Sequence, residues 1–246
     1  MSRMKFLNIE IDNLSMIESI ERIDELIQKR RQSYLVTPNV DHLVKLEEDI
    51  EFMKAYEEAD LILTDGMPLI WISKILKKPI KEKVSGSDIF PKICELASKK
   101  HYSIFLLGAA EGVAAKAANN LENKYKGLII AGTFSPSYGF ENDENEVKNI
   151  INKINEAKPD ILAVGLGAPK QEKFIHKYKN ELNVPISLAI GASIDFEAGN
   201  IKRAPLYMQK SGLEWFYRFI KEPRRMFKRY FIDDLKILKI YFKYRK

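Results

Sequence analysis

Short apolar segments alternate along most of this chain with longer amphipathic ones. The short segments are rich in β-branched and aromatic residues and favour strands: SYLVT, LILT, YSIFLLG, GLIIAGTF, DILAVGLG and PISLAIG. The longer segments place apolar residues at helical spacing, as in SMIESIERIDELIQKRR and ENEVKNIINKINEA. Strand followed by helix, repeated in this way, predicts an α/β fold with a mostly parallel, Rossmann-like sheet and helices on both of its faces.

The alternation stops near Ile194, and the residues that follow are helical and basic. A chain of 246 residues, 46% of them hydrophobic, is long and apolar enough for one large domain with an appendage. We therefore expect an α/β domain over residues 1–195 and a helical C-terminal appendage over residues 196–246.

Positive charge is concentrated in this appendage. Residues 202–246 carry fourteen Lys and Arg against four Asp and Glu, a net charge of +10, whereas residues 1–201 have a net charge of −4. Such segregation predicts that the partner of the appendage is anionic.

At 100° per residue, a helix starting at Arg225 would carry its cations on one side and its apolar side chains on the other. The cationic side comprises Lys228, Arg229, Lys236, Lys239, Lys243 and Lys246, and the apolar side Phe227, Tyr230, Phe231, Leu235, Leu238, Tyr241 and Phe242. This helix could bind an anionic membrane surface, pack on the core as an ordinary terminal helix, or bind nucleic acid. The apolar side favours a membrane, so we expect no nucleic-acid partner.

The single cysteine, Cys94, lies in a helical pattern and is interpreted as a buried structural thiol in a protein of a reducing compartment. The N-terminal residues contain no apolar core of signal-peptide length, and no run approaches the roughly 18 apolar residues that span a bilayer. These features predict a cytoplasmic protein, or one that attaches to a membrane from the cytoplasmic side.

Ligands of a parallel α/β sheet bind beyond the carboxyl ends of its strands. Asp65 follows the strand-like LILT and precedes a glycine, a position where a carboxylate can accept a proton from a substrate hydroxyl. The alternative role of Asp65 is that of a helix cap or turn residue, since Asp-Gly is a common turn.

Two glycine-containing turns lead from a strand into a helix at the same edge. FLLGAAEGVAAKAANN contains Gly108 and Gly112, and GLGAPKQEKF contains Gly167, Lys170 and Gln171. A helix N-terminus favours anions, so two of them together predict a diphosphate or a nucleotide, with tight packing of helix on strand as the alternative. Further polar or small candidates at this edge are Thr37, Asn39, Tyr138, Gly191 and Asp195.

The sequence lacks a D-x-D motif, and its nearest relative is the DFE of Asp195 and Glu197. The three histidines, His42, His101 and His176, lack metal-ligand spacing. We therefore expect neither a metal nor another cofactor.

Taken together, several segments resemble the WecG/TagA/CpsF family of bacterial glycosyltransferases, over residues 6–230. They are TPNVDHL, TDGMPLIW, SGSDIF, GLGAPKQEKFI, GASIDFEAGNIKRAP and GLEWFYRFIKEPRRMFKRY. The resemblance implies transfer of N-acetylmannosamine from UDP-N-acetylmannosamine to the 4-hydroxyl of N-acetylglucosamine on undecaprenyl diphosphate, with inversion, in wall teichoic acid linkage-unit synthesis. Related members that use the uronic acid form, or another UDP-sugar, leave the donor open.

The resemblance also implies roles for individual residues. Asp65 matches the general base, and Thr37, Asn39 and Gln171 match polar active-site positions. Without a metal, the charge on the leaving UDP would be stabilised by helix N-termini and by Arg218, Arg224 and Arg225 of the appendage. The UDP-sugar would bind at Gly108, Gly112, Tyr138, Gly167, Lys170, Gly191 and Asp195. The appendage would thus complete the active site and also attach the enzyme to the inner face of the membrane that holds its lipid acceptor.

Two other classes of protein compete with this interpretation. A nucleotide-dependent oxidoreductase is disfavoured by the incomplete glycine fingerprint and by the missing acidic residue after a strand. A non-enzymatic protein with a basic arm for nucleic acid is disfavoured by the apolar side of that arm. The oligomeric state stays open, a homo-oligomer included.

Overall fold

The computed structural model describes residues 3–245, apart from the side chain of Lys210, so Lys246 of the predicted cationic side lies outside it. An antiparallel pair of short strands comes first, β1 (Met4–Phe6) and β2 (Ile9–Ile11). The central sheet is built from β3 (Ser33–Val36), β4 (Leu61–Ile62), β5 (Ser103–Gly108), β6 (Ile129–Phe134), β7 (Ile161–Gly165) and β8 (Ile186–Ala189). These six strands are all parallel, in the order β4-β3-β8-β7-β5-β6, which confirms the predicted parallel sheet.

Helices cover both faces of the sheet, as predicted. The helices up to the appendage are α1 (Met16–Lys29), α2 (Val40–Leu46), α3 (Ile50–Glu57), α4 (Met67–Ile75), α5 (Gly86–Lys100), α6 (Val113–Lys124), α7 (Glu144–Ala157), α8 (Lys170–Tyr178) and α9 (Ser193–Glu197). One apolar core holds residues of α2, α3, α7 and α8, and the other holds residues of α1, α5, α6 and α9.

The strands divide their side chains between these two cores because successive residues of a strand point to opposite faces. Tyr34 and Val36 of β3 belong to the first core, and Leu35 belongs to the second. All three are fully buried. A strand buried on both faces has to be apolar throughout, which explains why these segments read as continuous apolar runs.

The appendage is helical but not a single regular α-helix. It contains α10 (Leu206–Lys210), α11 (Glu214–Lys221), α12 (Pro223–Lys228) and α13 (Ile237–Tyr244). Between α12 and α13 the backbone forms a π-helical turn at Arg229–Asp233 and a 3₁₀ turn at Asp234–Lys236. The π-helical turn is wound more loosely than an α-helix, and the 3₁₀ turn is wound more tightly. A projection at 100° per residue therefore does not hold across them.

The appendage packs on the α/β domain through apolar side chains of α13. Ile240 is buried in the core that contains α2 and α3, and Ile237, Tyr241 and Tyr244 pack against that core. Lys236 pairs with Glu48 at 3.3 Å, and Lys243 pairs with Glu47 at 2.7 Å. Part of the predicted cationic side is therefore paired with carboxylates of the domain, although both lysines stay exposed to solvent.

The predicted domain boundary between residues 195 and 196 falls inside α9. Ile194 of α9 and Ala198, the C-cap of that helix, lie on either side of the boundary in one buried core. Cys94 is also buried there, and burial raises the pKa of its thiol, as suits a structural residue. No helix within residues 3–245 has both the length and the apolarity needed to span a membrane.

Candidate active site

A cavity of about 330 Å³ lies between the loops that follow β3 and β4 and the appendage. The α/β domain contributes Asn39, Val40, Asp65, Gly66, Met67, Pro68, Trp71, Lys83, Ser85 and Ser87. The appendage contributes Gln209, Gly212, Glu214, Trp215, Arg218, Arg229, Tyr230, Asp234, Leu235 and Ile237. Neither part forms the cavity alone, so its contents would contact both.

Asp65 is fixed by the turn between β4 and α4. Its backbone N–H donates to the carbonyl of Pro38 at 2.8 Å, which ties the loops after β3 and β4 together. Gly66 then adopts a φ of +96°, which side-chain-bearing residues rarely adopt, and α4 begins at the next residue. The half-buried Asp65 side chain is thereby directed into the cavity.

Burial raises the pKa of Asp65 above the ordinary value of 3.8. The charges of Lys83 and Arg218 oppose this shift, because a nearby cation favours the carboxylate. Lys83 reaches the cavity because its segment runs beside the Asp65 loop, where Val84 N–H donates to the carbonyl of Thr64 at 2.8 Å. A raised pKa makes a carboxylate a stronger proton acceptor, which suits a general base.

Asn39 caps the N-terminus of α2 and also lines the cavity. Its Oδ1 accepts from the backbone N–H of His42 at 3.2 Å. Thr37 lies at the end of β3, is buried, and is not among the lining residues. Asn39 and Asp65 therefore line the same cavity, whereas Thr37 does not.

The predicted arginines separate into two groups. Arg218 lines the cavity, and its guanidinium lies 5.7 Å from the centre of the Phe196 ring. Arg224 and Arg225 are exposed and do not line it; the Arg225 side chain is 72% exposed and pairs with Glu222 at 2.9 Å. Arg229, which the sequence analysis did not assign to the leaving group, lines the cavity as Arg218 does.

One wall of the cavity is aromatic and apolar. Trp71 comes from α4 and Trp215 from α11, where its ring packs edge-on against Tyr230 at 5.9 Å between centres. Leu235 and Ile237 continue this wall along the appendage. The lining of the cavity thus combines cations with hydrocarbon, which suits an amphiphilic ligand.

Gln171 is buried and joins two loops at the sheet edge rather than lining the cavity. Its Nε2 donates to Oε1 of Glu172 at 2.8 Å, and its Oε1 accepts from the backbone N–H of Gly191 at 3.1 Å. Burial raises the pKa of Glu172 to about 7, and its Oε2 has no hydrogen-bond partner in the described part of the chain. Gln171 therefore links the turns that follow β7 and β8.

The glycine turns lie at the same sheet edge, outside this cavity. Gly108 has a φ of +123°, and a Cβ atom there would clash with the carbonyl of Gly165, so packing alone explains this glycine. Gly112 begins α6 at a φ of +75° and faces open space, as Gly167 and Gly191 do at their turns. These three positions leave room for a ligand to approach the backbone.

Lys170, Tyr138 and Asp195 lie beyond the residues that line the cavity. Lys170 pairs with Glu141 at 2.7 Å, and its Nζ lies 5.5 Å from the centre of the Tyr138 ring, which is fully exposed. Asp195 is half-buried in α9, and burial raises its pKa. Apart from Thr37, Arg224 and Arg225, the predicted site residues thus form two groups, one in the cavity and one around the turns after β5, β6, β7 and β8.

A sequence profile described as the glycosyl transferase WecG/TagA/CpsF family matches residues 4–246. The chain belongs to this family. It is also similar to three proteins named N-acetylglucosaminyldiphosphoundecaprenol N-acetyl-beta-D-mannosaminyltransferase. The Bacillus spizizenii protein is 32% identical over 199 residues, 81% of this chain and 75% of the relative. Those of Bacillus subtilis and Staphylococcus aureus are 31% and 27% identical, over 89% and 92% of this chain and 83% and 87% of the relatives.

For this member of the WecG/TagA/CpsF family, reasoning from sequence missed several cavity residues. Trp71 and Trp215 stand inside two of the segments that carried the resemblance, TDGMPLIW and GLEWFYRF, which is the signal that could have identified them. Arg229 lies in the full form of the second segment, GLEWFYRFIKEPRRMFKRY, and so had the same signal. Lys83 and Asp234 lie outside these segments. Within residues 3–245 no three His, Cys, Asp or Glu side chains come together as a metal-binding group.

Proposed function

We propose that this glycosyltransferase moves N-acetylmannosamine from UDP-N-acetylmannosamine to the 4-hydroxyl of N-acetylglucosamine on undecaprenyl diphosphate, with inversion, in wall teichoic acid linkage-unit synthesis. The observation that carries the proposal is the position of Asp65 in one cavity with Arg218, Arg229 and an apolar wall. The names of the similar proteins support transfer of N-acetylmannosamine to N-acetylglucosaminyldiphosphoundecaprenol.

Asp65 acts as the general base. As the acceptor oxygen bonds to the anomeric carbon, its proton moves to the Asp65 carboxylate and the bond from that carbon to the UDP oxygen breaks. A single displacement of this kind inverts the anomeric configuration. Asn39 orients the reacting sugars directly, while Thr37 and Gln171 support the loops from behind.

The leaving UDP takes up negative charge, and the residues that stabilise this charge increase the rate. Arg218 and Arg229 line the cavity and provide planar donors that suit diphosphate oxygens. The turns at Gly112, Gly167 and Gly191, with the N-termini of the helices that follow them, bind the rest of the UDP-sugar. Gly108, Tyr138, Lys170 and Asp195 complete this nucleotide side, and no metal is needed.

The acceptor lipid fits the apolar wall. Trp71, Leu235 and Ile237 offer hydrocarbon, along which the first isoprene units of the acceptor can leave the cavity. Further out, the exposed side chains of Phe231, Leu238 and Phe242 form an apolar surface on the appendage. We infer that this surface enters an anionic membrane and keeps the enzyme on its cytoplasmic face.

A product assay tests the proposal. The enzyme is incubated with UDP-N-acetylmannosamine and N-acetylglucosamine on a short-chain lipid diphosphate, and the disaccharide is identified by mass and by the configuration of the new linkage. Parallel reactions contain UDP-N-acetylmannosaminuronic acid or UDP-N-acetylglucosamine. Preferred use of one of these donors would correct the sugar, and absence of a disaccharide with every donor would refute the reaction.

A further inference from the structure

Five charged side chains of alternating sign connect the α/β domain to the appendage. They are Lys83, Asp88, Arg203, Glu214 and Arg218, and each is paired with the next. Arg203 lies at the centre, where it is paired with Asp88 and with Glu214 at 3.3 Å. Glu214 is in turn 3.3 Å from Arg218. We refer to these residues as the ion relay.

The relay is shielded from solvent along most of its length. The side chains of Lys83, Asp88, Arg203 and Glu214 are only 18–21% exposed, while that of Arg218 is 40% exposed. Breaking a partly buried pair leaves a charge without its partner, which costs more than losing an exposed pair. The relay therefore restrains its members more strongly than a surface ion pair would.

Both ends of the relay lie in the cavity, and its centre does not. Lys83 and Arg218 line the cavity with Asp65, whereas Arg203 is absent from the lining residues. The charges of Lys83 and Arg218 favour the ionised form of Asp65, and those of Asp88 and Glu214 oppose it. The net effect of these charges on the ionisation of Asp65 thus depends on which residues of the relay are paired.

Arg203 also makes contacts that fix its own position. Its Nη1 donates to the backbone carbonyl of Ser87 at 2.9 Å, next to the start of α5. Its guanidinium lies 6.0 Å from the centre of the Phe196 ring, against which Arg218 also packs. Its Nε and Nη2 both donate to the carboxylate of Glu214 in α11. Because Ser87 belongs to α5, the planar guanidinium of Arg203 connects α11 to α5.

We propose that Arg203 is a positioning residue, which holds Arg218 and Lys83 in the cavity by neutralising Asp88 and Glu214. Without Arg203, each of these carboxylates would keep one cation, and the loss of one positive charge would leave the site more negative. Glu214 would also no longer be tied to α5, so α11 could move and carry Arg218 away from the leaving group. The proposal rests on the function proposed above.

A double-mutant cycle tests this coupling. Turnover of the short-chain acceptor is measured for Arg203→Leu, Arg218→Leu and the double variant. We expect Arg203→Leu to lower kcat by about tenfold or more, since misplacing a catalytic group has effects of this size. In the Arg218→Leu background the same change should lower kcat by less than about threefold, because its main target is already absent. Multiplicative effects of the two changes would overturn the proposal.

Two further variants separate positioning from general destabilisation. Arg203→Lys keeps the charge but not the fork, so we expect a kcat between those of wild type and Arg203→Leu. Lys124→Leu removes a more exposed cation, which pairs with Glu197 at 3.1 Å and does not line the cavity, and it should leave kcat near the wild-type value. Equal losses of kcat in Lys124→Leu and Arg203→Leu would contradict a specific role for Arg203.

Hydrogen exchange provides a readout that does not depend on turnover. Arg203→Leu should increase amide exchange in α11, at residues 214–221, while Lys124→Leu should not. If the wild type forms no disaccharide, the proposed function fails, and faster exchange in α11 alone still supports the relay. Unchanged exchange of α11 in Arg203→Leu would overturn the relay whatever the reaction is.

Discussion

Nη2 of Arg229 lies 3.5 Å from Oδ1 of Asn39, across a sequence separation of 190 residues. A residue of the appendage thus meets the cap of α2 at the carboxyl edge of the sheet. Nε of Arg229 is buried and has no hydrogen-bond partner within residues 3–245, and the same is true of Oδ1 of Asp234. Buried donors are normally satisfied, so a guanidinium with unused capacity in a cavity suits an anionic ligand.

Arg229→Leu should lower turnover of the short-chain acceptor by on the order of 10 to 10³, because it removes donors from the leaving diphosphate. Arg225→Leu is the matched control, since its side chain is exposed and outside the cavity. We expect it to stay within about twofold of wild type with this acceptor. A large loss of turnover in Arg225→Leu, together with a small loss in Arg229→Leu, would instead show that the arginines predicted from sequence stabilise the leaving diphosphate.

Asp65→Asn should lower kcat by on the order of 10² to 10⁴, as expected when a general base is lost. The fold should persist, because the raised pKa of Asp65 means that its negative charge does not stabilise the protein. Steady-state kinetics and thermal unfolding of the same preparation check both points. Wild-type turnover in this variant would reduce Asp65 to a turn residue.

Glu172→Gln should change how stability depends on pH. The folded-state pKa of Glu172 is about 7 against an ordinary value of 4.5, so the folded protein holds this proton more tightly than the unfolded chain. Its contribution to stability is complete below pH 4.5 and is lost as the pH rises to about 7. The loss amounts to about 3 kcal/mol of the free energy of unfolding.

The measurement is urea unfolding of wild type and Glu172→Gln between pH 5 and pH 8. Titration of all other groups is common to both proteins, so only the difference between the two curves is informative. The wild type should lose more stability with rising pH than the variant does. Glu122→Gln, which changes an exposed glutamate of α6, should follow the wild type, and a variant at Glu172 that also follows it would disprove the assignment.

The double substitution Leu238→Ser and Phe242→Ser should weaken binding to phosphatidylglycerol vesicles. These side chains are 54% and 62% exposed, and inserting each into a membrane should contribute about 2 kcal/mol. Turnover of a short-chain acceptor should be unchanged, since neither residue lines the cavity. Ile17→Ser changes a comparably exposed side chain of α1 and serves as the control for co-sedimentation. Equal sedimentation of all three proteins would exclude this surface.

Chelation with EDTA should leave turnover largely intact, because arginines and helix N-termini are proposed to stabilise the diphosphate. Initial rates with and without EDTA, and after addition of Mg²⁺ or Mn²⁺, check this expectation. If EDTA abolishes turnover and a divalent cation restores it, a metal stabilises the diphosphate instead. Asp195 would then be the first residue to test as its ligand.

The sheet and the position of Asp65 could be predicted because their signals are local. Each buried strand is a short apolar run, and LILT followed by Asp-Gly places a carboxylate at the end of such a strand. The two-sided burial of residues such as Leu35 follows from the same pattern. Asn39 could be placed at the sheet edge for the same reason.

The appendage half of the cavity could not be predicted in this way. Arg229 begins the π-helical turn at Arg229–Asp233, where regular helical phase is lost, so its direction cannot be read from a projection. Arg224 and Arg225 have the same chemistry and lie nearby in sequence, yet the fold directs them to solvent. The partners of Arg203 likewise come from α5 and α11, which are adjacent only after folding.

The chain contains two tryptophans, Trp71 and Trp215, and both line the same cavity, one from each part of the protein. Tyrosine and phenylalanine absorb little at 295 nm, so light of that wavelength would excite indoles at the cavity alone. The native protein therefore carries its own optical reporter. Its emission should respond to occupancy of the cavity and to separation of the appendage from the domain, without any label.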